Sequence, residues 1–327
     1  MKKLTIAIPI YNGAKTIKRL LDCILSQNFL REDVDLIICD NGSTDNTLEV
    51  IKPYENNFTL YKNETNLGAD KNFELCVTRS NSEYVWIIGD DDFLKAGAID
   101  EILKKIYQKT YACVFVNFSL YDIKTEKETL EKYLPINEDI VAQGISEFLE
   151  YTNIAANFLS AIIHNKKYFG KVDTTNYIGT SWLQFAVILD YVEDNEVLII
   201  AEPLIINMGD SSERDVNIGG GAVIVTNKIF SVVKNAKSKY IHLSTRLKIL
   251  ANIHKILKYR ILSAKRLGLK INISLLKTLI INFGGYWSFW LLDMPILLTP
   301  NFIINFIYKL YRVKCINKYI TRNIQRR

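Results

Sequence analysis

The sequence predicts an α/β protein, a mostly parallel sheet flanked by helices and followed by a helical C-terminal extension. Three observations carry that expectation. Through the first 120 residues, short apolar runs of strand length alternate with apolar residues at helical spacing. Polar clusters follow the strands, where open α/β sheets bind their ligands. From Lys234 onward the chain turns basic, with nineteen Lys and Arg against one acid, Asp293.

Taken in order, Leu4–Ile10 is an Ile-rich run of strand length, and Thr16–Leu25 sets Ile17, Leu20, Leu21, Ile24 and Leu25 on one helical face. Val34–Cys39 reads as a strand, Thr44–Ile51 as a helix and Phe58–Lys62 as a third strand. Asp70–Arg79 is a helix, Tyr84–Ile88 a strand, Gly97–Tyr107 a helix and Ala112–Phe118 a strand. From residue 121 to 233 the pattern is less regular. Asn157–Ile163 and Val197–Ile206 read as strands with a helix opening near Thr180 between them, and Asp210–Asp215 with Gly219–Gly221 reads as a mobile loop. Three regions follow: 1–120, 121–233 as the second half of the same domain, and the basic tail 234–327.

The chain has 327 residues, 49% of them hydrophobic, which is ample for a sizeable core and excludes a disordered chain. Its net charge of +6 hides an acidic body and a tail of +18, a distribution suited to a polyanionic partner. The cysteines Cys23, Cys39, Cys76, Cys113 and Cys315 are scattered, without zinc-ligand spacing, as expected of free thiols in a reducing compartment. The apolar run after Lys2 and Lys3 is too short for a signal-peptide core, so the expected location is cytoplasmic.

In the tail, Leu250, Ile253, Leu257 and Ile261 form one stripe of an amphipathic basic helix. Leu279–Tyr308 carries one charge and includes Trp287 and Trp290, but Pro295 and Pro300 interrupt it. A spanning helix needs about 20 uninterrupted apolar residues. An interfacial or re-entrant segment on an anionic membrane surface is therefore expected, against the alternative of a helical pair buried on the body. The tail is too apolar for a phosphate groove, so nucleic acid is not an expected partner.

The chemistry-bearing residues sit at the strand ends. Pro9-Ile10-Tyr11-Asn12-Gly13 follows the first strand and Asp40-Asn41-Gly42-Ser43-Thr44-Asp45 the second. Asn66-Leu67-Gly68-Ala69-Asp70-Lys71-Asn72 opens a helix, and Gly89-Asp90-Asp91-Asp92 follows the Tyr84–Ile88 strand. Three consecutive carboxylates repel one another unless a cation sits among them. Hard oxygen ligands suit Mg²⁺ or Mn²⁺, which bridge carboxylates to phosphate oxygens and stabilise a diphosphate leaving group. Asp92 alone could instead cap the next helix.

These segments, from Lys3 to Phe118, resemble the family 2 glycosyltransferases, inverting enzymes of the GT-A fold. The resemblance implies a nucleotide-sugar donor, with Pro9, Tyr11, Asn12 and Asp40 at the places that hold the nucleobase. It puts Asn66 and Lys71 in the loop that meets base and phosphates, and the acidic motif at ribose and metal. The family's acidic pattern is Asp-x-Asp-Asp, which would set Gly89 at its first Asp. Asp91 then becomes the metal ligand with Asp90 or Asp92 supporting it; Asp92 is assigned to the metal and Asp90 to the donor. Gly-Asp-Asp-Asp with the later Trp182-Leu183-Gln184 resembles a subgroup that includes abequosyltransferase-like enzymes of surface-polysaccharide assembly.

The family places a catalytic base, often Glu-Asp, at the start of a helix in the acceptor half. Here that helix opens Gly179-Thr180-Ser181-Trp182-Leu183-Gln184, without a carboxylate. Asp190 lies on the order of 9 Å farther along. Asp173, in the preceding loop, is the assigned base, and His164 is a lesser candidate. The expected activity is inverting transfer to a lipid-linked saccharide acceptor at the cytoplasmic face of the membrane. A nucleotidyltransferase or a dehydrogenase would carry a Gly-rich loop after the first strand, and none is present. The absent Glu-Asp leaves open a membrane-bound nucleotide-sugar binding or scaffold protein.

Overall fold

The computed structural model describes residues 2–27, 32–123, 125–208, 221–236 and 238–307. The chain forms two compact units, Met1–Asp210 with Val232–Ile249, and Ser211–Ser231 with Leu250–Arg327.

The first unit is built on β1 (Leu4–Ile10), an apolar strand buried along its length except at Pro9. Such an unbroken run is what a strand covered on both faces requires. β1 lies between β2 (Val34–Asp40) and β4 (Tyr84–Ile87), and β3 (Thr59–Lys62) lies outside β2; all these pairings are parallel. The helix α1 (Ile17–Leu25) buries Ile17, Leu20, Leu21 and Ile24, as its spacing predicts. The short α2 (Thr47–Ile51) follows β2, and α3 (Ala69–Arg79) packs on β1, β2 and β4. α4 (Ala98–Gln108) buries Ala98, Ile99, Ile102, Leu103 and Ile106.

Beyond β4 the sheet becomes mixed. The two-residue β5 (Phe93–Leu94) is followed by β6 (Cys113–Asp122), β7 (Lys127–Leu130) and β8 (Ile140–Gln143). After α5 (Gly144–Thr152) come β9 (Ile162–Asn165), the short α6 (Lys166–Phe169), α7 (Leu183–Tyr191) and β10 (Glu196–Met208). Among the described residues the sheet has ten strands, in the order β3-β2-β1-β4-β9-β6-β10-β5, with β7 on β6 and β8 on β10. β9 runs antiparallel between β4 and β6, whereas β6 and β10 are parallel.

The strand expected over Asn157–Ile163 is half replaced. Asn153–Asn157 and Leu159–Ala161 are 3₁₀ turns, and the strand is Ile162–Asn165. The cause is tertiary: the Trp86 Nε1–H donates to the Ser160 carbonyl at 2.8 Å and the Gly89 N–H to Ser160 Oγ at 2.9 Å. Together they pull the segment into a turn against the end of β4. The helix expected from Thr180 starts at Leu183, after Gly179 and Ser181 at φ +84° and +66°.

In the second unit, α8 (Gly221–Asn235) contributes its residues to Ser231, and α9 (Leu243–Arg266) its residues from Leu250. The predicted stripe of Leu250, Ile253, Leu257 and Ile261 is buried. Phe230 and Phe283 pack tilted with ring centroids 4.3 Å apart, and the His254 and Tyr286 ring centroids lie 4.6 Å apart. α10 (Ile273–Phe283) is capped by Asn272, which accepts from the Leu275 N–H at 2.8 Å. Next come a π-helical turn at Phe289–Asp293, α11 (Met294–Leu298) and α12 (Asn301–Ile307). Among the described residues no single helix is long and apolar enough to cross a membrane. The loop expected at Asp210–Asp215, Gly219 and Gly220, and the basic residues from 308 onward with Cys315, lie outside the described residues.

Candidate active site

Register places the motifs together. Ile10 pairs with Asp40, Asp40 with Lys62, and Ala7 with Ile87, so β1 to β4 end at one edge of the sheet. The loops after β1, β2 and β4 leave from that edge, as does the loop between β3 and α3. Because β9 is antiparallel to β4, the turn preceding it arrives at the same edge and delivers Ser160. β10 brings Asn207 there too.

Asn12 adopts φ +54°, a left-handed conformation that Asn tolerates better than most residues. Its Oδ1 accepts from the Thr44 N–H at 2.8 Å and the Asp45 N–H at 3.3 Å, and its own N–H donates to Ser43 Oγ at 2.9 Å. Asn12 therefore ties the first two loops together. Tyr11 beside it is 45% exposed, leaving its ring available for stacking, and Pro9 is half-buried. Asp40 is fully buried, and its carboxylate accepts from the Ser43 N–H at 3.2 and 3.3 Å. In this conformation Asp40 holds the turn, and contact with a base would require that turn to open. Burial pushes the Asp45 carboxyl up, but bonds from Thr47 and Ala14 outweigh it and hold it below its usual range.

A network among asparagines supports the third loop; sequence reasoning singled out Asn66 but not the bonds that link it to Asn41, nor Asn63. Asn41 Nδ2 donates to Asn66 Oδ1 at 2.9 Å, while Asn41 Oδ1 accepts from Asn63 Nδ2 at 3.1 Å and the Leu67 N–H at 3.0 Å. Asn72 Nδ2 donates to the Cys39 carbonyl at 2.9 Å. Asn66 also accepts from the Gly68 N–H at 2.8 Å, so its side chain braces the loop. The available signal was the density of Asn around the Asp40 and Asn66 motifs. Lys71 pairs with Glu74, which also accepts from the Thr174 hydroxyl. Burial pushes the Glu74 carboxyl up, but Lys71 and Thr174 together hold it below its usual range.

The three aspartates point to different neighbours. Thr16 Oγ1 donates to Asp90 Oδ2 at 2.5 Å, and a Cβ on Gly13 would lie 2.6 Å from that oxygen. Asp90 thus faces the turn after β1. Asp92 accepts from Ser160 Oγ at 2.5 Å and from Asn207 Nδ2 at 3.4 Å. Asp90 and Asp92 are buried, and Asp91 is half-buried.

Asp91 Oδ1 and Asp92 Oδ2 lie 3.0 and 3.1 Å from where a Cβ on Gly89 would stand. Gly89 thus lets two carboxylates close on the backbone where any side chain would crowd them. Among the described residues, no group of three or more His, Cys, Asp or Glu could hold a metal ion. A dedicated protein cage is not the arrangement here, but one or two carboxylates joined by substrate phosphates is how Mg²⁺ is commonly held. The donor set fits a divalent ion of that kind.

At the opening of α7 the structure supplies a carboxylate from elsewhere. Asp70, buried on α3, accepts from the Ser181 N–H at 2.8 Å and the Leu183 N–H at 3.2 Å. It caps a helix more than a hundred residues away in sequence, which no local pattern reveals. Asp70→Ala is expected to cost about 2 kcal/mol, from two charge-assisted bonds left unmade. Urea denaturation measures this, and unchanged stability would reject the capping role.

Asp173 is exposed and caps the 3₁₀ turn Thr174–Asn176, its Oδ1 accepting from the Thr175 N–H at 3.0 Å. Asp190 accepts from the Tyr177 hydroxyl. His164 is a core residue: its Nδ1 lies 2.8 Å from the Tyr191 hydroxyl, and burial pushes its pKa down to about 3. Such a neutral, enclosed imidazole is unsuited to meeting a substrate.

Residues 5–169 match the family described as glycosyl transferase family 2. The abequosyltransferase RfbV of Salmonella typhimurium is 27% identical over 226 residues, covering 64% of this chain and 67% of that protein. The structure of Staphylococcus aureus TarS residues 1–349 in complex with UDP-GlcNAc superposes with TM-score 0.60 at 17% identity, covering 88% of this chain and 81% of TarS 1–349. The mannosyltransferase PcManGT of Pyrobaculum calidifontis, in complex with GDP-Man and Mn²⁺, gives TM-score 0.56 at 12% identity, covering 95% and 87%. At those identities the two structures bear on the fold alone.

Proposed function

The chain belongs to glycosyl transferase family 2, and from that premise we propose that it transfers a sugar from a nucleotide-sugar donor, with inversion, to a lipid-linked saccharide in surface-polysaccharide assembly at the cytoplasmic face of the membrane. The observation that carries this reading is the convergence of the Tyr11, Asn41, Asn66 and Asp90–Asp92 loops on one sheet edge, with two carboxylates closing on the backbone at Gly89. RfbV, an abequosyltransferase, supports a sugar donor, and TarS was crystallised with UDP-GlcNAc.

In this reading Tyr11 stacks on the base while the Asn66 loop and Lys71 meet base and phosphates. Asp91, with Asp92 behind it, would hold Mg²⁺ or Mn²⁺. That ion, when bound, offsets the charge on the departing diphosphate. Asp173 takes the proton from the acceptor hydroxyl as its oxygen bonds to the anomeric carbon and the bond to the nucleoside diphosphate breaks on the opposite face.

The test is a thermal-shift screen against UDP-, GDP-, CDP- and dTDP-sugars with and without Mn²⁺, followed by turnover on a lipid-linked acceptor. One donor class is expected to stabilise the chain and to be consumed. Binding without turnover on any acceptor would instead favour the scaffold reading. Tyr11→Ala is expected to weaken donor affinity by about 1–3 kcal/mol, the range for base stacking on an aromatic ring. Calorimetry showing unchanged affinity would remove the base from this edge.

A further inference from the structure

We propose that the bent helical pair Phe289–Leu298 and Asn301–Ile307 is a preformed anchor that enters one leaflet of an anionic bilayer without crossing it. This deepens the membrane part of the proposed function and rests on it.

Length excludes crossing by either described arm. Ten and seven residues reach about 15 and 10 Å, against a hydrocarbon core of about 30 Å. The arms are bent by 106°, so their lengths do not add along one axis.

The bend is braced. Pro300 lacks the N–H that would continue the helical ladder. Beside it, Lys265 Nζ donates to the Leu297 carbonyl at 3.1 Å, and Asn301 Nδ2 donates to the Leu269 carbonyl at 3.3 Å. On the first arm Asp293, the single acid after residue 233, is buried with its Oδ2 2.9 Å from His254 Nε2. The acid is thus withdrawn from the surface, and insertion exposes no carboxylate to lipid.

What the pair and its approach present is apolar. Trp287, Leu291, Leu298, Phe302, Phe306 and Ile307 are between 56% and 73% exposed. Soluble monomers rarely leave so many large apolar side chains in water within one short segment. Trp290 donates its Nε1–H to the Gly284 carbonyl at 2.8 Å, so its indole enters an apolar phase with its polar group satisfied.

Charge selects the occupant. Lys255, Arg266, Lys270 and Lys277 are exposed on or beside α9 and α10, and no exposed acid accompanies them in the described tail. A second copy of the chain would bring two basic surfaces together, whereas an anionic lipid surface complements this one.

The test is flotation of the full chain with phosphatidylcholine vesicles, with and without phosphatidylglycerol. Binding to the anionic vesicles is expected, with only partial release by salt. The Trp287→Ser/Leu291→Ser/Phe302→Ser variant, altered only at exposed positions, is expected to lose residual high-salt binding by at least about tenfold. Vesicles with brominated acyl chains are expected to quench tryptophan emission, and the Trp287→Phe/Trp290→Phe variant to lose that quenching. If salt alone releases the chain and the triple variant binds normally, insertion is wrong although peripheral association stands. A chain that stays off anionic vesicles and is dimeric by light scattering has a second copy as its occupant, and the membrane reading fails as well. Donor turnover, measured separately, reports on the transferase reading alone.

Discussion

Asp91→Ala is expected to abolish transfer and the metal-dependent part of donor binding while leaving the chain folded. If Asp91 holds the ion that offsets the leaving diphosphate, its loss removes stabilisation made mainly in the transition state. A fall in kcat/KM of about a thousandfold, roughly 4 kcal/mol, is then expected. The contrast with its neighbours makes the result specific. Asp90 and Asp92 are buried and accept hydroxyl bonds from Thr16 and Ser160 at 2.5 Å. Asp92→Ala strands the buried Ser160 hydroxyl and is expected to cost about 1–3 kcal/mol of stability besides activity, whereas Asp90→Ala leaves the half-buried Thr16 hydroxyl its bond to the Gly13 carbonyl and is expected to cost less. Asp91 is half-buried, so its replacement should disturb the fold least of the three. The measurement is turnover in Mg²⁺ and Mn²⁺ beside the Mn²⁺-dependent thermal shift. Wild-type turnover in either ion would sink the metal assignment.

Much of this edge was legible in the sequence because it is local. Ile17, Leu20, Leu21 and Ile24 announce a helix by spacing alone, and the polar runs after β1, β2 and β4 lie where parallel strands end. The residues that hold those runs in place were not legible, because their partners are remote. Ser160 meets Asp92 across 68 positions, from the turn before an antiparallel strand, and Asn207 meets it across 115 from the end of β10; periodicity cannot place either strand in the sheet. The same limit explains Asn157–Ile163. Its composition suits a strand, but Trp86 and Gly89 recruit Ser160 into a turn. Asp40 and Asn66 were legible as important, but not the backbone bonds that each also makes to shape its loop. The apparent gap at the start of α7 has a similar cause. A carboxylate does stand there, but it arrives from Asp70 on α3.

That carboxylate does not replace the expected base, and Asp173→Asn is expected to lower kcat by about 10²–10⁴ with donor affinity unchanged. The argument is by access. Asp70 is buried, with one oxygen on the Ser181 N–H before α7 and the other on the Leu183 N–H that opens it. His164 is enclosed and neutral. Asp190 is engaged by the Tyr177 hydroxyl, whose pKa burial and then that carboxylate push upward. Asp173 is exposed, and the turn it caps is tied through Thr174 to Glu74 and hence to Lys71 on α3. It is therefore a carboxylate at the surface, next to the helix that follows the Asn66 loop, as the proposed role requires. Asn at this position keeps an oxygen for the Thr175 N–H, so the cap and the fold are preserved and only the ability to take a proton is removed. A capping role alone would leave the rate of Asp173→Asn near normal, whereas a base predicts the full loss together with a flattened acidic limb of the kcat–pH profile. A near-normal rate with an unchanged profile would remove Asp173 and point to a base supplied by the substrate.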